Sequence, residues 1–177
     1  MTKQEIRQEI RCLKVACPSV ERAALSREVV ANLLTDDRWK KARCVLLYHS
    51  LPDEVCTHEL ICHALDEGKR VLLPVVIGDD LELREYRDEC TLTEGSFHIQ
   101  EPTGVAFTDF NAIDLAIIPG VAFTVEGQRL GRGRGYYDRL LPHIASTYKI
   151  GLCWPFQLLP SLPTEPHDIR MDAVVSC

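Results

Sequence analysis

At 177 residues the chain can bury one sizeable core, and a composition of 46% hydrophobic and 26% charged residues is that of an ordinary globular protein. Twenty basic side chains against 26 acidic ones give a net charge of −6, which excludes a general nucleic-acid binder but leaves room for local positive charge at an anion site. No apolar run reaches the roughly 18 residues that would span a membrane. The charged, helix-patterned start MTKQEIRQEIRCLK is not a signal peptide, so a cytoplasmic location is expected for a single domain over 1–177.

Residues 3–16 carry Ile6, Ile10, Leu13 and Cys17 at helical spacing, and Pro18 ends that helix. Ser19 is placed to cap a second helix over about 20–34, which carries Val20, Ala24, Val29, Val30 and Leu33. RCVLLYH, 43–49, is a continuous apolar run of the kind buried in a parallel sheet. After a loop with Pro52, Thr57 is expected to cap the helix THELICHALDEG, which Gly68 closes. VLLPVVI, 71–77, reads as a strand, and LELREY, 81–86, alternates like a peripheral one. Residues 88–112 are less regular. DLAIIP, 114–119, is a further buried strand that runs into a loop rich in glycine and arginine, with a short helix near 135–142. KIGLCW, 149–154, and MDAVVS, 171–176, read as the last strands, on either side of a proline-rich loop. Alternating strands and helices predict an α/β fold with a mainly parallel sheet. Ligands of such sheets lie off the carboxyl ends of the strands, so residues 49–54 and 119–138 are expected to face one crevice.

The eight cysteines, at 12, 17, 44, 56, 62, 90, 153 and 177, contain no CxxC pair and read as reduced thiols. Histidines 49, 58, 63, 98, 143 and 167 show no HExxH or similar metal-ligand pattern.

The chemistry concentrates in PGVAFTVEGQRLGRGRGYYD, 119–138. Gly127, Gly131, Gly133 and Gly135 are interleaved there with Arg129, Arg132 and Arg134, and Tyr136, Tyr137 and Asp138 follow. Glycines let backbone N–H groups approach a ligand, and guanidinium forks bind phosphate or carboxylate oxygens in pairs. The segment lacks the Gly-Lys-Ser/Thr of a Walker loop, and Tyr136 stands where the dinucleotide fingerprint needs its third glycine. Spacing leaves other residues open between two readings. Lys3 and Arg7, four apart, are either a phosphate-facing pair or a solvated basic face. Glu54 is either an acceptor for a ligand's N–H groups or a loop carboxylate in water. Asp138 and Asp172 are either Mg²⁺ ligands or, respectively, an early helix carboxylate and the start of an edge strand.

Taken together these residues resemble the 5-formyltetrahydrofolate cyclo-ligase, or 5,10-methenyltetrahydrofolate synthetase, family. The resemblance covers nearly the whole chain. It runs from the Lys3–Arg7 helix through SLPDEVCT at 50–57, HIQEP at 98–102 and PGVAFTVEGQRLGRGRGYYDR at 119–139 to HDIRMDAVV at 167–175. It implies a three-layer, Rossmann-like sandwich. The implied reaction uses ATP and Mg²⁺ to convert 5-formyltetrahydrofolate to 5,10-methenyltetrahydrofolate, giving ADP and phosphate. By the same resemblance, Lys3, Arg7, Arg129, Leu130, Gly131, Arg132, Gly133, Arg134, Gly135, Tyr136 and Tyr137 are the nucleotide-binding residues. His49, Glu54 and the stretch Arg132, Gly133, Arg134, Gly135, Tyr136 match substrate contacts, and Arg132, Arg134 and Tyr136 are those expected at the reacting group. Asp138 and Asp172 match metal positions. His49 stands where the family often has an aliphatic residue, and Phe97 where some members carry tryptophan, which keeps an aromatic wall. The expected partners are small molecules, with neither nucleic acid nor membrane, and a monomer is expected. Two rival readings share the loop: another ATP-dependent ligase or kinase on this scaffold, and a non-catalytic folate- or nucleotide-binding module.

Overall fold

The computed structural model describes residues 1–87, 92–94, 100–166 and 168–177, so Cys90, Phe97, His98 and His167 lie outside the described residues. The N-terminal helix α1 (Lys3–Ala16) opens on a reciprocal cap. The Thr2 hydroxyl accepts from Glu5 N–H at 3.2 Å, and the Glu5 carboxylate accepts from Thr2 N–H at 2.7 Å. Its buried stripe is Ile6, Ile10 and Lys14 rather than Ile6, Ile10 and Leu13, because the Lys14 ammonium donates to the Asp53 carbonyl at 2.6 Å while Leu13 faces out. Helix α2 (Ser19–Thr35) begins with Pro18 at the cap position, so Ser19 is its first helical residue and caps nothing. A short helix unseen in the apolar pattern, α3 (Asp37–Lys41), follows, capped by Asp36 and pinned by the fully buried Trp39.

The apolar runs become β1 (Cys44–Leu46), β2 (Arg70–Ile77), β6 (Leu115–Ile118), β9 (Tyr148–Leu152) and β10 (Ala173–Val175), with the alternating run as β3 (Asp80–Tyr86). Their order is β10-β9-β6-β1-β2-β3, parallel throughout except for β3, which returns antiparallel to β2 at the edge. Two small antiparallel pairs lie outside this sheet: β4 (Leu92–Glu94) with β5 (Gln100–Pro102), and β7 (Ala122–Phe123) with β8 (Arg129–Leu130). Helix α4 (His58–Asp66) stands between β1 and β2, and α5 (Tyr136–Leu140) follows the glycine–arginine loop.

Alternate residues of each strand face opposite layers. Val45, Leu47, Val71, Leu115 and Ile117 pack under α2, α3 and α4, with Val29, Leu33, Trp39 and Leu60. Leu46, Leu72, Ala116 and Ile118 pack against α5 and the β7 hairpin, with Phe123, Leu140 and Ile144. The result is the expected three-layer α/β sandwich. Helix α1 adds a separate contact, Ile6 and Ile10 against Val121, Ala122 and Leu130 of the hairpin, and so ties the N-terminus to the loop. Among the described residues no helix is long and apolar enough to cross a membrane, and every described cysteine is free.

Candidate active site

Two segments leave the carboxyl ends of β1 and β6, and both are held by hydrogen bonds to their own backbone. After β1, the Thr57 hydroxyl donates to the Tyr48 carbonyl instead of capping α4, and Thr57 N–H donates to Ser50 Oγ at 3.1 Å. Leu51 N–H donates to Glu54 Oε2 at 3.0 Å, which turns the other oxygen of Glu54 outward. After β6, the β7–β8 hairpin occupies the first half of what reads in the sequence as one loop. Gly127 sits at its tip at φ +86°, and an added Cβ would stand 2.1 Å from the Met171 carbonyl oxygen. That glycine therefore serves packing rather than a ligand. Gly135 does the turning before α5, at φ +74° with left-handed geometry.

Arg132 crosses between the two segments. Its Nε and Nη2 donate to Glu54 Oε1 at 3.1 and 3.0 Å, and Nη2 also reaches Asp53 Oδ1 at 2.6 Å. Burial alone would lower the Arg132 pKa, but the two carboxylates outweigh it and hold the pKa above the ordinary value. At Asp53, burial pushes the carboxyl up, and Arg132 with Lys14 more than offsets that, so its pKa lies below the usual range. Arg129 is different. Its side chain is only 6% exposed, its Nε donates to the Pro119 carbonyl at 2.9 Å and its Nη1 to Asp138 Oδ1 at 3.1 Å. The guanidinium carbon lies 5.3 Å from the Tyr137 ring centre.

Two cavities meet here. The smaller, about 90 Å³, is walled by Gly120, Arg129, Asp138 and the run from Gly131 to Tyr137. The larger, about 370 Å³, is mostly apolar, with Tyr48, Leu51, Pro74, Val76 and Leu81, and also has His49 and Glu101 in its wall. Glu54, Pro119, Arg132, Arg134, Tyr136 and Tyr137 line both, so the chambers share a wall. Burial lowers the His49 pKa, and the stacked His58 ring, 4.2 Å away between centres, lowers it further. Burial raises the Tyr137 and Tyr48 hydroxyl pKa values well above the ordinary one, so both stay protonated.

The sequence pattern of the 5-formyltetrahydrofolate cyclo-ligase family matches residues 1–177. The chain belongs to this family. It is 35% identical over 156 residues to a probable 5-formyltetrahydrofolate cyclo-ligase of Schizosaccharomyces pombe, covering 78% of this chain and 76% of that one. It is 30% identical over 176 residues to the 5-formyltetrahydrofolate cyclo-ligase of Haemophilus influenzae, covering 96% and 94%. The solved structure of Aquifex aeolicus 5,10-methenyltetrahydrofolate synthetase superposes with a TM-score of 0.88 at 35% identity, covering 99% of this chain and 89% of that one.

Within this cyclo-ligase fold, His49, Glu54, Arg129, Arg132, Arg134, Tyr136, Tyr137, Asp138 and the glycines Gly131, Gly133 and Gly135 all line the joined cavities. Four other expected site residues lie outside both linings. Lys3 pairs with Asp168 at 2.8 Å and Glu165 at 3.2 Å. Arg7 donates from Nε to the Gly131 carbonyl at 2.8 Å, and so supports the loop from behind. Leu130 is buried against α1, with its carbonyl accepting from Val121 N–H at 2.7 Å. Asp172 precedes β10, where its Oδ2 accepts from Lys149 N–H at 2.7 Å and faces the Lys149 ammonium at 3.3 Å. Asp53, Tyr48 and Glu101 were not singled out from sequence. Asp53 adjoins Glu54 and Glu101 lies in HIQEP, so both sat in segments that carried the resemblance, but no local pattern marks which way either points.

Proposed function

We propose that the protein converts 5-formyltetrahydrofolate and ATP to 5,10-methenyltetrahydrofolate, ADP and phosphate. The observation that carries this is the wall shared by a small arginine–glycine chamber and a larger apolar one. A terminal phosphoryl group seated in the first adjoins a flat ring system seated in the second. The formyl group on N5 is amide-like, so its carbon is a weak electrophile and its oxygen a poor leaving group. Transfer of the γ-phosphoryl group to that oxygen releases ADP and gives an iminium-like phosphate ester. N10 then attacks the activated carbon, N10 loses its proton, and phosphate departs with the C–O bonding pair as the ring closes.

This route needs no protein nucleophile, and positioning and charge stabilisation supply the catalysis. Arg132 and Arg134 line both chambers, so their charge falls where the phosphoryl group moves. Tyr136 lines the same wall and offers a ring face and a hydroxyl to the folate. Glu54 holds Arg132 in place, since its Oε1 receives both guanidinium bonds. The backbone at Gly131, Gly133 and Gly135 lets phosphate oxygens come close, and Arg7 steadies that backbone through the Gly131 carbonyl.

The residues present fit Mg²⁺ carried in with the nucleotide. No group of three or more metal-ligating side chains exists among the described residues, as suits an ion held mainly by phosphate oxygens and water. Asp138 lines the phosphate chamber, and its Oδ2 has no protein partner among the described residues, so it is the carboxylate we assign to the metal. Asp172, committed to Lys149, we assign to the sheet. When bound, Mg²⁺ offsets charge on the phosphates.

The test mixes the protein with Mg-ATP and 5-formyltetrahydrofolate and follows the near-ultraviolet absorbance of the methenyl product. Product and ADP are expected in equal amounts. Folded protein that binds both ligands yet releases no ADP would instead be a binding module.

A further inference from the structure

The larger cavity contains two acidic residues with different commitments. Glu54 lies on the wall shared with the phosphate chamber, and its carboxylate is engaged by Arg132 and by Leu51 N–H. Glu101, next to Pro102 at the end of β5, lines only the larger cavity, on the side formed with Pro74, Val76 and Leu81. It is 8% exposed. Oε1 accepts from Val76 N–H at 3.2 Å, whereas Oε2 has no protein partner among the described residues. No arginine or lysine forms an ion pair with it among those residues. A mostly buried carboxylate with one oxygen committed to the backbone and the other without a protein partner among the described residues is an acceptor available to a ligand in the cavity. Glu101 lines the cavity, so a bound ligand can supply a donor to it.

We propose that Glu101 is a specificity-determining residue, whose carboxylate accepts hydrogen bonds from the 2-amino and N3–H edge of the pterin ring. The inference rests on the folate reading of the larger cavity. That edge presents two parallel N–H donors, which match the two oxygens of a carboxylate. It lies at the end of the bicycle away from the formyl-bearing N5, just as Glu101 lies off the wall shared with the phosphate chamber. The glutamate tail of the substrate is anionic and is disfavoured beside Glu101, so the carboxylate also sets which end of the folate enters. Recognition of this kind rejects a ligand lacking the donors more strongly than an apolar pocket rejects a missing methyl group, because the charged acceptor is left unpaired.

The experiment compares wild type with Glu101→Gln. The glutamine keeps an acceptor for Val76 N–H but loses the charge and one acceptor oxygen. Two readouts are taken: KM for 5-formyltetrahydrofolate and for ATP, and the equilibrium affinity for the folate against an analogue with methyl in place of the 2-amino group. Wild type is expected to favour the natural folate by about 10- to 100-fold, the range of a hydrogen bond to a charged group. E101Q is expected to lose most of that preference, and its folate KM to rise by a similar factor with the ATP KM unchanged. Equal preference in the two proteins, in an enzyme that still makes methenyl product, overturns the role of Glu101 and leaves the folate reading intact. Should E101Q fail to fold, the wild-type comparison still decides: equal binding of folate and analogue overturns the proposal. A wild-type protein that binds no folate overturns both readings.

Discussion

Arg129 and Arg132 stand three residues apart in one glycine-rich segment, and each meets a carboxylate, yet the two pairs have different work. At Arg129 the side chain is 6% exposed, and burial wins over Asp138, so its pKa falls below the ordinary value. At Arg132 the side chain is 42% exposed, and Asp53 with Glu54 wins over burial, so its pKa rises. A guanidinium stays ionised in both settings. The difference lies in what surrounds the charge. Arg129 braces the hairpin to α5 through Pro119, Asp138 and Tyr137 and has little freedom to respond to a ligand. Arg132 bridges two loops at the wall of both cavities, where its half-exposed guanidinium is accessible to a ligand. Two arginines of one glycine-rich segment therefore differ in how far the guanidinium is open to a ligand.

The sharpest way to break this contrast is Arg132→Ala. Turnover should fall by about 100-fold or more at saturating ATP, as for loss of one charge-stabilising donor. Stability should change by less than about 1 kcal/mol, as for a half-exposed pair. Near-normal steady-state rates would contradict the assignment. Next, Arg129→Ala should cost about 3 kcal/mol in urea unfolding, the lower end for breaking a buried pair, because Asp138 can still reach water. An R129A protein that unfolds like wild type but has lost ATP binding would reverse the two roles.

The aspartates sharpen the comparison with a smaller effect. Asp138→Asn should raise the Mg²⁺ concentration for half activity several-fold, while Asp172→Asn should leave that titration unchanged and lower stability by about 1 kcal/mol through the Lys149 contact. A matched rise in both variants would return Asp172 to the metal. The smallest effect concerns His49, whose pKa in the folded protein lies below its unfolded value. Below the unfolded pKa the unfolded chain binds the proton more readily, so the stability contribution is complete above that pH and is lost as pH falls through the window between the two values. His49→Gln should flatten the loss of stability just below pH 6.5, the ordinary histidine value. An identical pH profile for the two proteins would show that His49 is not held neutral.

Much of this architecture is legible in the chain because its signals are local. Continuous apolar runs such as DLAIIP bury on both faces, and LELREY alternates because it lies at an edge with one side half-open. The misreadings were local competitions settled by tertiary contacts. Lys14 displaced Leu13 from the buried stripe because the Asp53 carbonyl was there to receive its ammonium. Thr57 abandoned its cap for the Tyr48 carbonyl. The β7–β8 hairpin has no signature in the sequence because its two-residue strands carry no period, and Gly127 reads there as a ligand-facing glycine although the Met171 carbonyl lies against it.

Residue types and their spacing were enough for an α/β fold with a mainly parallel sheet, and the quoted motifs were enough for the resemblance to the family that the chain belongs to. They could not say which oxygens each cation meets. Arg132 and Glu54 are 78 residues apart in the chain, and the order of strands β6 and β1 in the sheet is what brings them within 3.0 Å. Backbone preferences act over a few residues and travel with the chain, whereas the pairing and burial of a charge depend on segments that meet only after folding.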